Sequence, residues 1–145
     1  MLGDDLYDDS FSIDSPAGEF LGEFGVGVSD TLPGGSSKRV TAFEVWLFDK
    51  NDIQTTTTVL LSSYAYNDPA TRARLEPKGN VALAEPGKQY VFETTTLRGV
   101  VTIVDMQYAS GGSLLPSSES YFERASFELA IWQKNNAAAS GSAYK

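Results

Sequence analysis

The residue types on which most enzyme chemistry depends do not occur in this chain, which contains no cysteine and no histidine. Without cysteine there is no disulfide, thiol nucleophile or zinc ribbon. Without histidine there is no Ser-His-Asp triad and no ordinary general base near neutral pH. The carboxylates left for an acid and base pair are Glu44, Glu93, Asp105 and Glu128, and no spacing selects two of them. We therefore predict no catalytic residues and a protein that is not an enzyme.

Two short motifs resemble ligand-binding loops but fail at required positions. The turn Asp49-Lys50-Asn51-Asp52 begins like a calcium loop, yet Gln54 stands where the glycine is needed and Leu60 where the bidentate glutamate belongs. The glycines of GEFGVG, residues 22–27, are in the wrong order for a phosphate loop and no helix is predicted after them. These segments predict a plain β-turn and a strand approached closely by another backbone, with no metal site and no cofactor.

The elements that position these residues are organised around an apolar run from Arg39 to Leu61, which predicts two β-strands joined by the polar turn. Alternate side chains of the first strand are apolar on both sides, so we expect this strand to be central and covered on both faces. One side consists of Thr41, Phe43, Val45 and Leu47, and the other of Val40, Ala42, Trp46 and Phe48. Glu44 interrupts the pattern and is expected to lie near a sheet margin or to pair with a base.

Further strands are predicted over residues 19–29, 81–84, 89–96, 98–108 and 121–134, with Trp132 on the polar side of the last one. The segment Tyr64–Gly79 predicts one short helix, with Asn67 or Asp68 as its cap and Pro69 in its first turn. Short strands separated by turn signals are typical of an all-β fold. We predict an antiparallel β-sandwich of about seven strands with one short helix, and a β-barrel is the alternative.

The length of 145 residues fits one domain with one core. We assign residues 1–17 to an acidic N-terminal arm or linker, 18–134 to the β-sandwich domain and 135–145 to a low-complexity tail. Eight of the 19 acidic residues precede Lys38, the first basic one, which leaves 11 acids and 11 bases. A nearly neutral body without a basic cluster argues against nucleic acid as a partner, and no apolar run is long enough to predict a transmembrane segment.

Two binding functions remain open. The apolar residues least explained by an internal core are Phe11, Ile13, Leu114 and Leu115, which predict contact with a protein partner or self-association. Alternatively, Tyr64, Tyr66 and Trp132 could form a sugar-stacking platform of a carbohydrate-binding β-sandwich module. We favour a non-catalytic structural or protein-interaction module that is a subunit or tethered domain of a larger assembly, because flexible composition at both ends is typical of such domains.

Three segments of the sequence show one further resemblance. They are GVGVSDTLPGGSSKRVTAFEVWLFDKNDIQT, LAEPGK and YFERASFELAIW, within residues 19–133. Together they resemble a β-rich domain of uncharacterised bacterial proteins, some of which are membrane-associated. The resemblance implies a recurrent domain, with a membrane-associated complex as one setting, and it implies no activity and no functional residue.

Overall fold

The computed structural model describes residues 8–32, 39–109 and 121–134 as eight strands in two sheets. The first sheet has the strand order β1-β2-β3-β4-β5, with bounds Asp8–Asp14, Phe20–Thr31, Val40–Asp49, Gln54–Leu61 and Asn80–Leu83. The second sheet has the order β6-β7-β8, with bounds Gln89–Glu93, Leu97–Tyr108 and Phe122–Gln133. The predicted all-β sandwich is confirmed, because the described strands form two separate sheets and not a closed barrel.

One strand more than the predicted seven is present, and it lies in the segment assigned to an acidic arm. β1 pairs antiparallel with β2 from Asp8 opposite Gly27 to Asp14 opposite Phe20. Residues 8–14 are therefore the edge strand of the first sheet. The serines and aspartates of β1 suit this position, because charged and polar side chains on an edge strand discourage further pairing.

The predicted single helix is instead two short helices followed by a 3-10 turn. Helix α1 spans Ser63–Asn67, α2 spans Pro69–Leu75 and the turn spans Glu76–Lys78. Asp68 separates the helices with φ −97° and ψ 109°, since a residue before proline is disfavoured in the α region. Its carboxylate caps α2 by accepting from the Thr71 N–H at 3.3 Å and the Thr71 hydroxyl at 2.6 Å, so the predicted cap is confirmed.

These helices connect β4 to β5, which pairs with β4 in parallel from Thr58 opposite Asn80 to Leu61 opposite Leu83. Parallel neighbours require a crossover between them, and the two helices provide it. This parallel pair is the exception within the predicted antiparallel sandwich. All the other strand pairs within the described residues are antiparallel.

The core lies between the two sheets and is built around aromatic rings from both. The Phe43 ring centroid lies 5.0 Å from that of Phe122 and 5.1 Å from that of Phe127. The rings of Phe24 and Phe92 meet edge to face with centroids 5.6 Å apart. Such contacts add to the burial energy of large apolar side chains and hold the sheets face to face.

Strand β3 is central in its sheet, but its two faces differ. Phe43, Val45 and Leu47 are fully buried against the second sheet, whereas Trp46 and Phe48 point to the other side and are half-buried. Helices α1 and α2 cover only one end of that outer side, where they close a small second core. This second core consists of Ala42, Val59, Leu61, Ala65 and Leu75. The prediction of cover on both faces is therefore wrong at Trp46.

A polar contact also joins the sheets, at Tyr90 on β6. Its hydroxyl donates to the Leu83 carbonyl at 2.7 Å and accepts from the Glu85 N–H at 3.2 Å. Burial raises the pKa of the Tyr90 hydroxyl above its ordinary value. Tyr90 is thus a core residue whose polar end is satisfied by the end of β5 and the residues after it.

Candidate interaction site

The outer face of the second sheet carries an apolar row that crosses all three strands. Val91 on β6 lies opposite Val100 on β7, which lies opposite Ala130 on β8, and Trp132 follows two residues along on the same side. Val91 is 54% exposed and Trp132 is 38% exposed. We call these four residues the valine–tryptophan patch. Helices α1 and α2 pack on the first sheet, so neither covers this patch.

Charged residues of both signs border the patch. The guanidinium carbon of Arg98 lies 5.8 Å from the Trp132 ring centroid, and its Nε lies 3.2 Å from the Glu93 carboxylate. Lys134 Nζ lies 3.8 Å from the same carboxylate, and Glu128 is exposed on the other side of the row. Exposed pairs of this kind contribute little to stability. An apolar centre with a polar rim is, however, the usual anatomy of a protein interface.

The interaction residues predicted from sequence do not form this patch. Phe11 on β1 is 53% exposed, so it remains accessible. Ile13, two residues further along, is buried in the main core and is not available for contact. Leu114 and Leu115 lie outside the described residues. Of the four, the structure therefore leaves Phe11 as an exposed apolar residue, at the edge of the first sheet.

The residues of the predicted sugar platform lie on opposite sides of the sandwich. Tyr64 and Tyr66 are on α1, which packs on the first sheet, whereas Trp132 is on the outer face of the second. The Arg72 guanidinium stacks 4.3 Å above the Tyr66 ring centroid, and Tyr64 lines a cavity of about 190 Å³. These three aromatic residues do not share one surface, because the two sheets present their outer faces in opposite directions.

The carboxylates considered as acid and base candidates are mostly in ion pairs. Glu44 lies 3.7 Å from Lys78 Nζ, which confirms the predicted pairing with a base. Glu93 pairs with Arg98 at 3.2 Å, and Asp105 with Arg124 at 3.0 Å. In the part of the chain that the structure describes, no group of three or more acidic side chains is arranged to hold a metal ion.

One buried carboxylate ties together two turns that are distant in sequence. Asp49, at the end of β3, is fully buried and accepts from the Thr94 hydroxyl and from the N–H and hydroxyl of Thr96, each at 2.8 Å. It also accepts from the Asn51 N–H at 2.9 Å. Burial alone would raise the pKa of this carboxyl, but these hydrogen bonds outweigh it and hold the pKa below its ordinary value. Asp49 therefore joins the β3–β4 turn to the β6–β7 turn.

Beside these turns lies a cavity of about 430 Å³ with mixed lining. Its walls are formed by Glu19, Phe20, Leu21, Lys50, Asn51, Thr96 and Gln133. The cavity is as large as a small-ligand site. Its polar groups do not converge on one buried point, since most of these residues are exposed, and we assign it no ligand.

Sequence reasoning missed Val91 as an exposed residue and Ala130 as a partly exposed one. The available signal was the run Tyr90-Val91-Phe92, in which three consecutive apolar residues of one strand cannot all face the same core. Tyr90 and Phe92 are buried, so Val91 must face outward. The position of Trp132 on the polar side was predicted correctly and is confirmed.

The fold and these surfaces define the class of the protein, an all-β sandwich domain of a five-stranded and a three-stranded sheet. Comparison with protein-family models, with curated proteins and with solved structures gives no match. None of the helices in the described ranges is long and apolar enough to cross a bilayer.

Proposed function

We propose that this protein is a non-catalytic interaction module, a subunit or tethered domain of a larger assembly, and that the valine–tryptophan patch binds a second copy of the chain. The observation that carries the proposal is the pair of exposed apolar side chains Val91 and Trp132, which flank the buried Val100 and the half-buried Ala130 on one sheet face. Valine and tryptophan exposed on one flat sheet face gain free energy when a partner removes them from water. Tryptophan is also among the residues most enriched where binding energy concentrates.

A second copy of the chain is the proposed partner because of the charged residues around the patch. The rim of the patch contains both acids, Glu93 and Glu128, and bases, Arg98 and Lys134. A two-fold axis through the patch makes an interface self-complementary, since the same surface is presented by both subunits. Each basic side chain of one copy can then face an acid of the other, and like charges need not meet.

A single charge placed in the patch tests this proposal. We expect Val91→Glu to raise the dissociation constant of self-association by about tenfold or more, because a carboxylate would be desolvated at the centre of the interface. Sedimentation velocity over a range of protein concentrations measures this constant. Val91 is more than half exposed, so the folded monomer should retain its stability.

The matched control is Val104→Glu, an equally exposed valine at 59% on β7, four residues beyond Val100. It introduces the same charge away from the patch and should leave self-association unchanged. A wild-type chain that stays monomeric up to its solubility limit would contradict the proposal. So would an equal effect of both variants, since that would reflect net charge and not the patch.

The carbohydrate-binding alternative is not supported by the residues first considered for it, because Tyr64 and Tyr66 do not lie on the same face as Trp132. The expectation that the protein is not an enzyme stays a prediction, as does the absence of a nucleic-acid partner.

A further inference from the structure

Trp46 lies across the outer face of the first sheet, over a glycine of the neighbouring strand. Trp46 is opposite Gly25 in the β2–β3 pairing, and Gly25 is opposite Ser10 in the β1–β2 pairing. A Cβ on Gly25 would lie 2.4 Å from the indole Cζ2 and 2.8 Å from Cε2. The ring therefore occupies the space above Gly25, and one side of the indole rests on the sheet.

Trp46 remains partly accessible to solvent on this face, since it is half-buried. Helices α1 and α2 cover this face only as far as Val59 on β4, two residues along the strand from Thr57, the residue opposite Trp46. A glycine in the interior of a strand weakens the strand, because it has no side chain to pack and more chain entropy to lose. Its presence here permits the close approach of the indole, which forms a partly exposed aromatic surface on the outer face of the sheet.

Hydrogen-bonding groups surround this surface. Thr57 on β4 lies opposite Trp46, and Thr55 lies opposite Phe48. Among the residues that the structure describes, no side chain or backbone group hydrogen-bonds to the hydroxyls of Thr55 and Thr57 or to the indole N–H of Trp46. Donors and acceptors are thus available beside a half-buried aromatic ring.

We propose that Trp46 is the stacking platform of a binding site for neutral saccharides. The C–H groups on one face of a pyranose ring carry partial positive charge and contact the electron-rich face of an aromatic ring. The sugar hydroxyls at the ring edge then reach Thr55, Thr57 and the indole N–H. This combination of one apolar surface with a few polar groups is typical of small-ligand recognition.

Charge selects neutral over acidic saccharides. Glu23 and Glu44 lie on the same outer face, on either side of the Gly25 and Trp46 row. Lys78 lies 3.7 Å from Glu44, while the Glu23 carboxylate accepts from the Ser10 hydroxyl at 2.9 Å. The net negative charge of this face repels uronic-acid polymers, and carboxylates are good acceptors for sugar hydroxyls.

The chain offers a matched control because it contains only two tryptophans, and they lie on different sheets. Binding is first measured on an array of neutral and acidic oligosaccharides, and the strongest neutral oligosaccharide is then titrated by calorimetry. We expect Trp46→Ala to weaken this binding by about tenfold or more, as for other aromatic residues at the centre of a site. We expect Trp132→Ala to stay within about twofold of the wild type, as for a surface change away from the site.

A second readout separates binding from folding. In a Trp132→Phe background the fluorescence of Trp46 should change on addition of the oligosaccharide, whereas in a Trp46→Phe background the fluorescence of Trp132 should not. No binding to any neutral oligosaccharide, or equal losses from both alanine variants, would overturn the proposal. This site does not depend on self-association, so Val91→Glu should bind the oligosaccharide like the wild type.

Discussion

Replacing Asp49 with alanine should lower the free energy of unfolding by about 3–5 kcal/mol at pH 7, as is typical when one member of a buried charged network is removed. The Asp49 carboxylate accepts from Asn51, Thr94 and Thr96, with no exposure to solvent. Alanine would leave these donors without their carboxylate acceptor. Urea titration of the wild type and the variant measures the difference.

The loss of unfolding free energy in Asp49→Ala should depend on pH in a defined direction. The pKa of the folded Asp49 is below its ordinary value, which is about 3.9 in an unfolded chain. The carboxylate therefore stabilises the fold fully above this value, and its contribution is lost as the pH falls through the folded pKa. The difference between wild type and Asp49→Ala should shrink accordingly in acid. A difference below about 1 kcal/mol at pH 7 would contradict the structural role, since exposed pairs contribute that little.

The nearby Asp52→Ala is the control for this result. Asp52 is exposed and its carboxylate accepts a hydrogen bond from Thr95, on the same pair of turns. Water can replace Thr95 at an exposed site, so we expect a loss of less than about 1 kcal/mol. Comparable losses from Asp49→Ala and Asp52→Ala would show that charge in the turn, and not the buried cluster, is what matters.

Replacing Phe43 with alanine should lower the free energy of unfolding by about 3–5 kcal/mol, as for other fully buried aromatic side chains. Phe43 contacts the rings of Phe122 and Phe127 across the core. Its removal would leave a cavity between the sheets that the rigid strands can only partly fill. Thermal and urea denaturation both report this loss.

Trp46→Ala, on the opposite face of the same strand, is the comparison for Phe43→Ala. Because Trp46 is only half-buried, its removal should cost about 1–2 kcal/mol, less than full burial would imply. A larger loss from Trp46→Ala than from Phe43→Ala would mean that the outer face of the first sheet is the better packed one.

The sequence predicts the fold class and many local features but not which side of β3 is the core. Both sides of this strand are apolar, and a two-residue period then gives no preference. The outer side of β3 is recognised from its pairing with β2, which places Gly25 opposite Trp46. The register depends on pairing between strands, and no local pattern within β3 contains it.

Features that depend on distant segments were also beyond sequence reasoning. Asp49 is recognisable as a turn residue, but its burial comes from the β6–β7 turn, 45 to 47 residues away. The cap at Asp68 was predicted from the residues around Pro69, but the division into two helices was not, and the parallel direction of β5 required knowing where the helices dock. Local residue patterns therefore predicted caps and turns, whereas the burial of Asp49 and the direction of β5 depend on tertiary packing.

The two proposed surfaces are compatible because they lie on opposite outer faces of the sandwich. Two copies joined through the valine–tryptophan patch would each direct Trp46 away from the interface. Such a dimer presents two saccharide sites, and binding at one site raises the effective concentration at the other. Weak affinity at each site would then suffice for firm attachment to a repeating polysaccharide.

The two sheets occupy separate stretches of the chain, since β1 to β5 precede β6 to β8 without exchange of strands. Each sheet can consequently assemble from nearby segments before the two halves dock, which keeps the entropy of loop closure low in the early steps. The contacts that join Phe43 to Phe122 and Asp49 to Thr96 form only when the halves meet. We therefore expect docking of the two sheets to contribute most of the cooperativity of folding.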